Sequence, residues 1–264
     1  MGSKIKILDY NIRYANDGEN KMIADRAPRL DAVIRKYEPD VIGLQEASRT
    51  WINYLEDLLY DRYKMRYLYR NEFSREATPI LWKRDKFELM REGHFWLSDF
   101  PEASTKSFGG KHYRICNYVL LRVKETGEEF YFINTHMGGG TASDWSAKLI
   151  MSRMEERGAF EKYPALLTGD FNSAPMGTWS KNKCYRILNE SGKFRDINDA
   201  LGFDPAPTVN GYHDDQCPET IIDYVFFTPQ WMNPLCYKVL DEEHLGGWVS
   251  DHRGLYAEIE LKEK

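Results

Sequence analysis

The sequence lacks several features that would have decided its class at once. Only 4 of its 264 residues are cysteine. Cys116, Cys184, Cys217 and Cys236 form no Cys-x-x-Cys pair, and no neighbouring histidine completes a zinc pattern. In a chain this long they are expected as reduced or buried thiols, with disulfides left open because the compartment is not fixed. There is no basic excess: 36 Lys and Arg face 41 Asp and Glu, a formal charge of −5. That argues against a protein that holds nucleic acid by bulk electrostatics. It leaves room for an enzyme that reaches a phosphate through a metal ion, because the cation supplies the local positive charge. A hydrophobic content of 42% with a mean hydropathy of −0.61 excludes both a membrane-spanning and a disordered chain. No repeat, low-complexity tract or linker-like stretch is found. The first strand begins at Lys4, which leaves no room for a signal peptide, although the Met-Gly-Ser start could replace a removed leader. The compartment reading leans no further than cytoplasmic.

What is there reads as alternating strands and helices. Lys4 to Asn11 alternates apolar and polar residues as a strand does. Leu30, Val33, Ile34 and Tyr37 give Asp25 to Tyr37 a helical spacing that Pro39 ends. Val41 to Leu44 is a buried strand ending at Gln45-Glu46, and Trp51 to Leu59 a short helix. Thr78–Lys83 and Phe87–Trp96 read as a strand pair, then Leu97–His112 as a long polar loop. Ile115–Lys124 and Glu129–His136 form a hairpin turned at Thr126-Gly127. Ser143 is placed to cap a helix reaching about Phe160, Ala165–Thr168 is a buried strand, and Thr178–Asn189 is helical. Ile221–Thr228 and Leu255–Leu261 are the last strands. Early alternation followed by paired strands predicts an α/β layered protein with mixed sheets.

The polar residues of interest share one position, the end of a predicted strand. Asn11, Glu46, His136, Asp170 with Asn172, and Asp251 with His252 all sit there. Strands of one sheet can bring such ends into one pocket. Singly, each has a bland explanation. Asn11 and Gly169-Asp170-Phe171-Asn172 could be turn residues, and Glu46 could return the chain to solvent. Asp223, inside Ile-Ile-Asp-Tyr-Val-Phe-Phe, is harder to dismiss, since a carboxylate among apolar strand residues is costly unless paired or metal-bound.

In order, Asn11, Gln45-Glu46, Asn134-Thr135-His136, Gly169-Asp170-Phe171-Asn172, Ile222-Asp223-Tyr224-Val225 and Ser250-Asp251-His252 resemble the motif set of the endonuclease/exonuclease/phosphatase superfamily, the deoxyribonuclease I-like fold. The resemblance runs from residue 11 to residue 252. It implies one domain over residues 1–264: a four-layer α/β sandwich, two mixed sheets packed face to face with helices outside. It also implies a phosphoester hydrolase, a phosphodiesterase or phosphatase, that uses Mg²⁺ or Mn²⁺ and an activated water. A nuclease acting on DNA or RNA is the alternative, followed by an inactive binding or interaction module. The same resemblance implies Glu46, Asp251 and Asn11 at the metal, hard oxygen donors of the kind Mg²⁺ prefers. Asp170 and Asn172 would orient the water and a phosphate oxygen. His252 would contact the phosphate or act as base, with Asp223 orienting it, and His136 would act as general acid with Glu76 as its partner. Arg114, with Asn11 and Asn172, would hold the phosphate, which an arginine can grip with two donors. The partner implied is a phosphoester, small molecule or nucleic acid, with no membrane span and no obligate protein.

Gly93 to Pro101 (GHFWLSDFP) resembles a phrase of a bacterial subgroup whose members are mostly called family hydrolases. That subgroup follows its Thr-His with Asp-His; here Met137-Gly138-Gly139-Gly140 stands instead, which predicts a more open or more flexible rim. The loops expected to set the substrate are Leu97–His112, Met137–Ala142, Ser173–Lys183, Asp204–Glu219 and Asp241–Val249. Their aromatics, Phe100, Phe108, Trp179, Tyr212 and Trp248, could stack a base or sugar or simply pack the loops, and Arg75, Lys106, Lys111 and Lys181 could rim the pocket.

Overall fold

A computed structural model describes residues 2–175, 183–213, 217 and 220–262. In chain order the elements are β1 (Lys4–Asn11), α1 (Ile23–Tyr37), β2 (Val41–Gln45), β3 (Ala47–Ser48), α2 (Arg49–Leu59), β4 (Tyr63–Arg66), β5 (Glu76–Ala77), β6 (Ile80–Lys83), β7 (Phe87–Trp96), β8 (Ile115–Val123), β9 (Glu129–His136), α3 (Thr141–Glu155), β10 (Ala165–Asp170), α4 (Cys184–Asn189), β11 (Arg195–Asp196), α5 (Ile197–Leu201), β12 (Asp223–Phe227), β13 (Met232–Leu240) and β14 (Gly254–Leu261). One sheet runs β13-β14-β1-β2-β6-β4 and the other β11-β12-β10-β9-β8-β7, with β3 and β5 as a small ribbon. β1/β2 and β9/β10 are parallel and the other pairs of the two large sheets antiparallel. The mixed-sheet expectation therefore holds.

Period-two alternation builds the layers. In β1, Ile5 and Ile7 enter the core shared by the sheets, while Leu8 and Tyr10 pack with α1 and α2 on the other face. In β9, Phe130 and Phe132 face the shared core, and Tyr131 and Ile133 pack under α3. Two outer apolar layers and one middle layer give the four-layer deoxyribonuclease I-like sandwich.

Toward one end of the sandwich the middle layer turns polar. Asp9 and Asn11 continue the inward face of β1, Gln45 that of β2, Asn134 and His136 that of β9, and Thr168 and Asp170 that of β10. Gln45 Nε2 donates to Asp9 Oδ1 at 2.7 Å and to Asn134 Oδ1 at 2.8 Å, and Asn134 Nδ2 donates to the carbonyls of Leu44 and Pro79. The sheets close on this zone because residue 43 has no side chain: a Cβ on Gly43 would stand 2.3 Å from Thr168 Oγ1.

Some local expectations are corrected. Thr78–Lys83 and Phe87–Trp96 contain β6 and β7, but these do not pair; β6 joins β2 and β4, and β7 joins β8 in the other sheet. The turn between them passes the chain from one sheet to the other. Ser143 is not the cap of α3. Gly140, with φ 69°, starts that helix, and Ser143 Oγ donates back to the Gly140 carbonyl at 2.7 Å. α3 ends at Glu155 rather than near Phe160. The first part of the Thr178–Asn189 helix lies outside the described residues, and α4 begins at Cys184. β13 carries Pro234 next to a register shift, which an edge strand tolerates, and so gives little strand signal in the sequence. All four cysteines are free.

Candidate active site

Strand ends deliver the site. β1 and β2 run parallel and finish at Asn11 and Gln45, with Glu46 next. β9 and β10 run parallel and finish opposite each other at His136 and Asp170. β12 runs antiparallel to β10, so its first residue, Asp223, faces Asp170. Asp251 and His252 lie just before β14, with Arg253 between, and β14 is the neighbour of β1.

Hydrogen bonds join these ends across the two sheets. Asn11 Nδ2 donates to Asp170 Oδ2 at 3.1 Å and to Glu46 Oε1 at 3.3 Å. The Asn172 backbone N–H donates to Asp170 Oδ1 at 2.9 Å, and Asn172 Nδ2 lies 3.2 Å from His136 Nε2. His136 Nε2 is 3.4 Å from Asp170 Oδ2. His252 Nδ1 is 2.9 Å from Asp223 Oδ2, which also accepts the Thr208 hydroxyl at 2.6 Å. Asp170, Asp223 and His252 each offer a ligand-type atom within 4.8 Å of one another. Glu46 and Asn172 hold φ of 61° and 47°, a left-handed backbone that costs a non-glycine residue energy and is found at functional positions.

The model of the endonuclease/exonuclease/phosphatase family matches residues 10–252. The chain belongs to that family. Its members are phosphoester hydrolases, and the bacterial subgroup expected from residues 93–101 agrees with its structural likenesses. An endonuclease/exonuclease/phosphatase family protein from Bacteroides thetaiotaomicron is 25% identical, with a TM-score of 0.87 and 100% of both chains covered. Mannosyl-6-phosphatase Bt3783 of the same organism is 26% identical over 98% of this chain and 100% of its own, with a TM-score of 0.85. The human Nocturnin catalytic domain shares the fold at 17% identity, with a TM-score of 0.77 over 98% of this chain and 94% of its own. No curated protein sequence matches the chain.

The two histidines of this family hydrolase stand in opposite electrostatic settings. Burial alone would lower the His252 pKa, but the charge and hydrogen bond of Asp223, with Asp170 and Asp251 adding to them, push the imidazole up to about 10. His136 is held well below the ordinary histidine value by burial, with Arg114 and Arg70 adding to it. Its expected partner, Glu76, is 3.8 Å from Nδ1, beyond hydrogen-bond length. The other Glu76 oxygen is in an ion pair with Arg70. Burial pushes Glu76 up to about 7 against the pull of Arg70. Burial and the charge of Asp223 likewise push Asp170 up to about 7.

Of the expected phosphate-holding residues, Asn11 and Asn172 are in the network just described. Arg114 is 9% exposed, its Nε and Nη1 have no hydrogen-bond partner among the described residues, and burial beside Arg70 lowers it to about 10. Asp251 accepts the Ser250 hydroxyl at 3.1 Å and lies 3.6 Å from Arg13 Nε. Trp179 and Lys181 lie outside the described residues. Sequence reasoning missed four contributors. Arg70 and Thr208 sit in irregular segments with no pattern around them. Arg13 follows Asn11 by two residues, a spacing that could have flagged it. Asp9 could have been found from β1 alternation, which puts it on the same face as Asn11; burial and Asp223 raise its carboxyl well above the usual range.

Proposed function

We propose that this family hydrolase cleaves a phosphoester of a small molecule with the help of Mg²⁺ or Mn²⁺, over one catalytic unit built from both ends of the chain. The observation that carries the reading is the hydrogen-bonded chain Glu46–Asn11–Asp170–Asn172–His136 beside the Asp223–His252 pair. The charge of −5 favours a small substrate over long nucleic acid. The phosphatase among the similar structures is in keeping with that.

The donors fit a hard divalent cation. The Glu46 and Asp251 carboxylates and the Asn11 amide oxygen are all oxygen, and Asp223 Oδ1 is buried without a partner among the described residues, in a zone where acidic groups converge. We assign the metal to Glu46, Asp251 and Asn11, the donor set that the resemblance implies, and leave Asp223 to His252, whose Nδ1 lies 2.9 Å from Asp223 Oδ2. Bound there, the ion would draw charge from the phosphoryl oxygens and ease ionisation of water.

The protein groups then divide the remaining work. Asp170, poised near neutrality, takes the proton of the attacking water, and the Asn172 amide fixes the carboxylate that does so. The imidazolium of His252, fixed by Asp223, donates to a phosphoryl oxygen as charge develops, with the buried Arg114 guanidinium as a second cation. His136 is neutral, so it can act as an acid only with a proton it receives; Asp170 Oδ2, 3.4 Å from Nε2, is the donor at hand. A screen of phosphomonoesters, phosphodiesters, plasmid DNA and RNA with Mg²⁺ or Mn²⁺, against a chelator control, tests the reading. Chelator-sensitive release of phosphate from small esters is expected; cleavage confined to DNA or RNA would favour the nuclease alternative.

A further inference from the structure

Beside His136 the chain presents a bare strip. Met137 is buried and its carbonyl accepts Asn172 Nδ2 at 3.0 Å, which ties the start of the strip to the reacting end of the pocket. Among the described residues, a Cβ on Gly139 or Gly140 would meet nothing within 4 Å, and one on Gly138 would make only ordinary contacts, 3.7 Å to Ala142 Cβ and 3.8 Å to Ser107 Oγ. Ser107 is 2% exposed, and its Oγ has no hydrogen-bond partner among the described residues. A buried hydroxyl left unmatched is costly, and a ligand hydroxyl or ordered water removes the cost. The Ser107 N–H is bonded to the His112 carbonyl at 2.9 Å, so the hydroxyl sits on a held hairpin and not on a free loop end. Next to Ser107, Phe108 faces Trp145 of α3 with ring centroids 6.4 Å apart, and Trp145 is 56% exposed.

We propose that this strip is the leaving-group subsite and that it takes a sugar ring. Gly138 to Gly140 form its floor, Phe108 and Trp145 its aromatic wall, and the Ser107 hydroxyl its polar end. A sugar has a C–H face that packs on an aromatic ring and a rim of hydroxyls that both donate and accept, which the Ser107 hydroxyl and open main chain match. A nucleobase edge is read by amide, carboxylate or guanidinium side chains, and the residues that make the strip offer none. The glycines leave the room that the ring needs, since any side chain at 138 or 139 would stand where it lies.

This subsite rests on the phosphoester hydrolase reading, and the test separates the two. The full chain is assayed with Mn²⁺ on a hexose 6-phosphate, on glycerol 3-phosphate, which has no ring, and on a nucleoside 5′-monophosphate. Trp145→Ala removes the exposed wall and Gly138→Ala puts a methyl group in front of the Ser107 hydroxyl, both without strain. The ratio of kcat/KM for the hexose ester to that for the glycerol ester is expected to fall about tenfold in each variant. An unchanged ratio in both overturns the subsite, and so does a wild-type preference for the nucleotide that Trp145→Ala abolishes. If no ester is cleaved, the hydrolase reading fails. The subsite is then judged by hexose 6-phosphate quenching of tryptophan fluorescence, which must be present in the wild type and lost in Trp145→Ala.

Discussion

Two histidine–carboxylate pairs lie at one end of the sandwich, and they are not equivalent. At the β12 side, Asp223 touches His252 at 2.9 Å and is itself fixed by Thr208, so the ring is driven to its charged form. At the β9 side, Glu76 stands 3.8 Å from His136 while its other oxygen pairs with Arg70, and burial, with Arg114 and Arg70 adding to it, holds the ring's pKa well below the ordinary value. Each pair sets an imidazole against a carboxylate. Both rings are buried, and whether a carboxylate touches the ring decides its protonation, and so the chemistry each histidine can do.

The largest expected effects come from breaking the charged pair. His252→Ala should lower kcat by at least about 10²-fold, and Asp223→Asn should follow it because the imidazolium loses its counter-charge. Wild-type turnover in either variant would remove that pair from the mechanism. Glu46→Ala comes next: Mg²⁺ affinity by calorimetry should weaken by about tenfold or more, and an unchanged affinity would contradict the ligand assignment. His136→Gln should cost less than His252→Ala, since the neutral ring only relays a proton; a larger loss would reverse the order of the two pairs.

The pH dependence of stability should carry the same contrast. The folded His252 pKa of about 10 lies above the unfolded value of about 6.5. Its ion pair therefore contributes fully below about pH 6.5, and the contribution is lost as pH rises through about 10. His136 has its folded value depressed, so its contribution is present above about pH 6.5 and is lost as pH falls through the lower folded value. Thermal melts should show Asp223→Asn flattening the alkaline limb and His136→Gln the acid limb; the opposite pattern would refute the assignment. The smallest effect is expected from Arg70→Met. It should move the His136 ring titration, followed by NMR, up toward the ordinary value, with little change at His252.

How much of this was readable in the chain differs between the two pairs. Asp223 announces itself as a lone acid among apolar strand residues, and His252 follows another acid at the start of a strand. Glu76 and His136 could be placed by motif order, but their separation could not. Arg70 reaches Glu76 from an irregular segment, and nothing in the pattern around it signals a buried ion pair. The same holds for β13, hidden by Pro234, and for the separation of β6 from β7 into different sheets, which depends on long-range pairing.

The sequence by itself determined the layers and the polar end of the sandwich. Alternation with a period of two sends Ile5, Ile7, Asp9 and Asn11 to one face whatever lies opposite, so the switch from apolar to polar along β1 is written in the chain. Only the tertiary structure decided which carboxylate touches which histidine, where Arg70 and Arg114 fall, and that, among the described residues, Gly138 to Gly140 lie open beside Ser107. Those outcomes hang on distances of a few ångströms between strands far apart in sequence. Electrostatic interaction in a low-dielectric interior changes steeply over such distances, while residue order is blind to them.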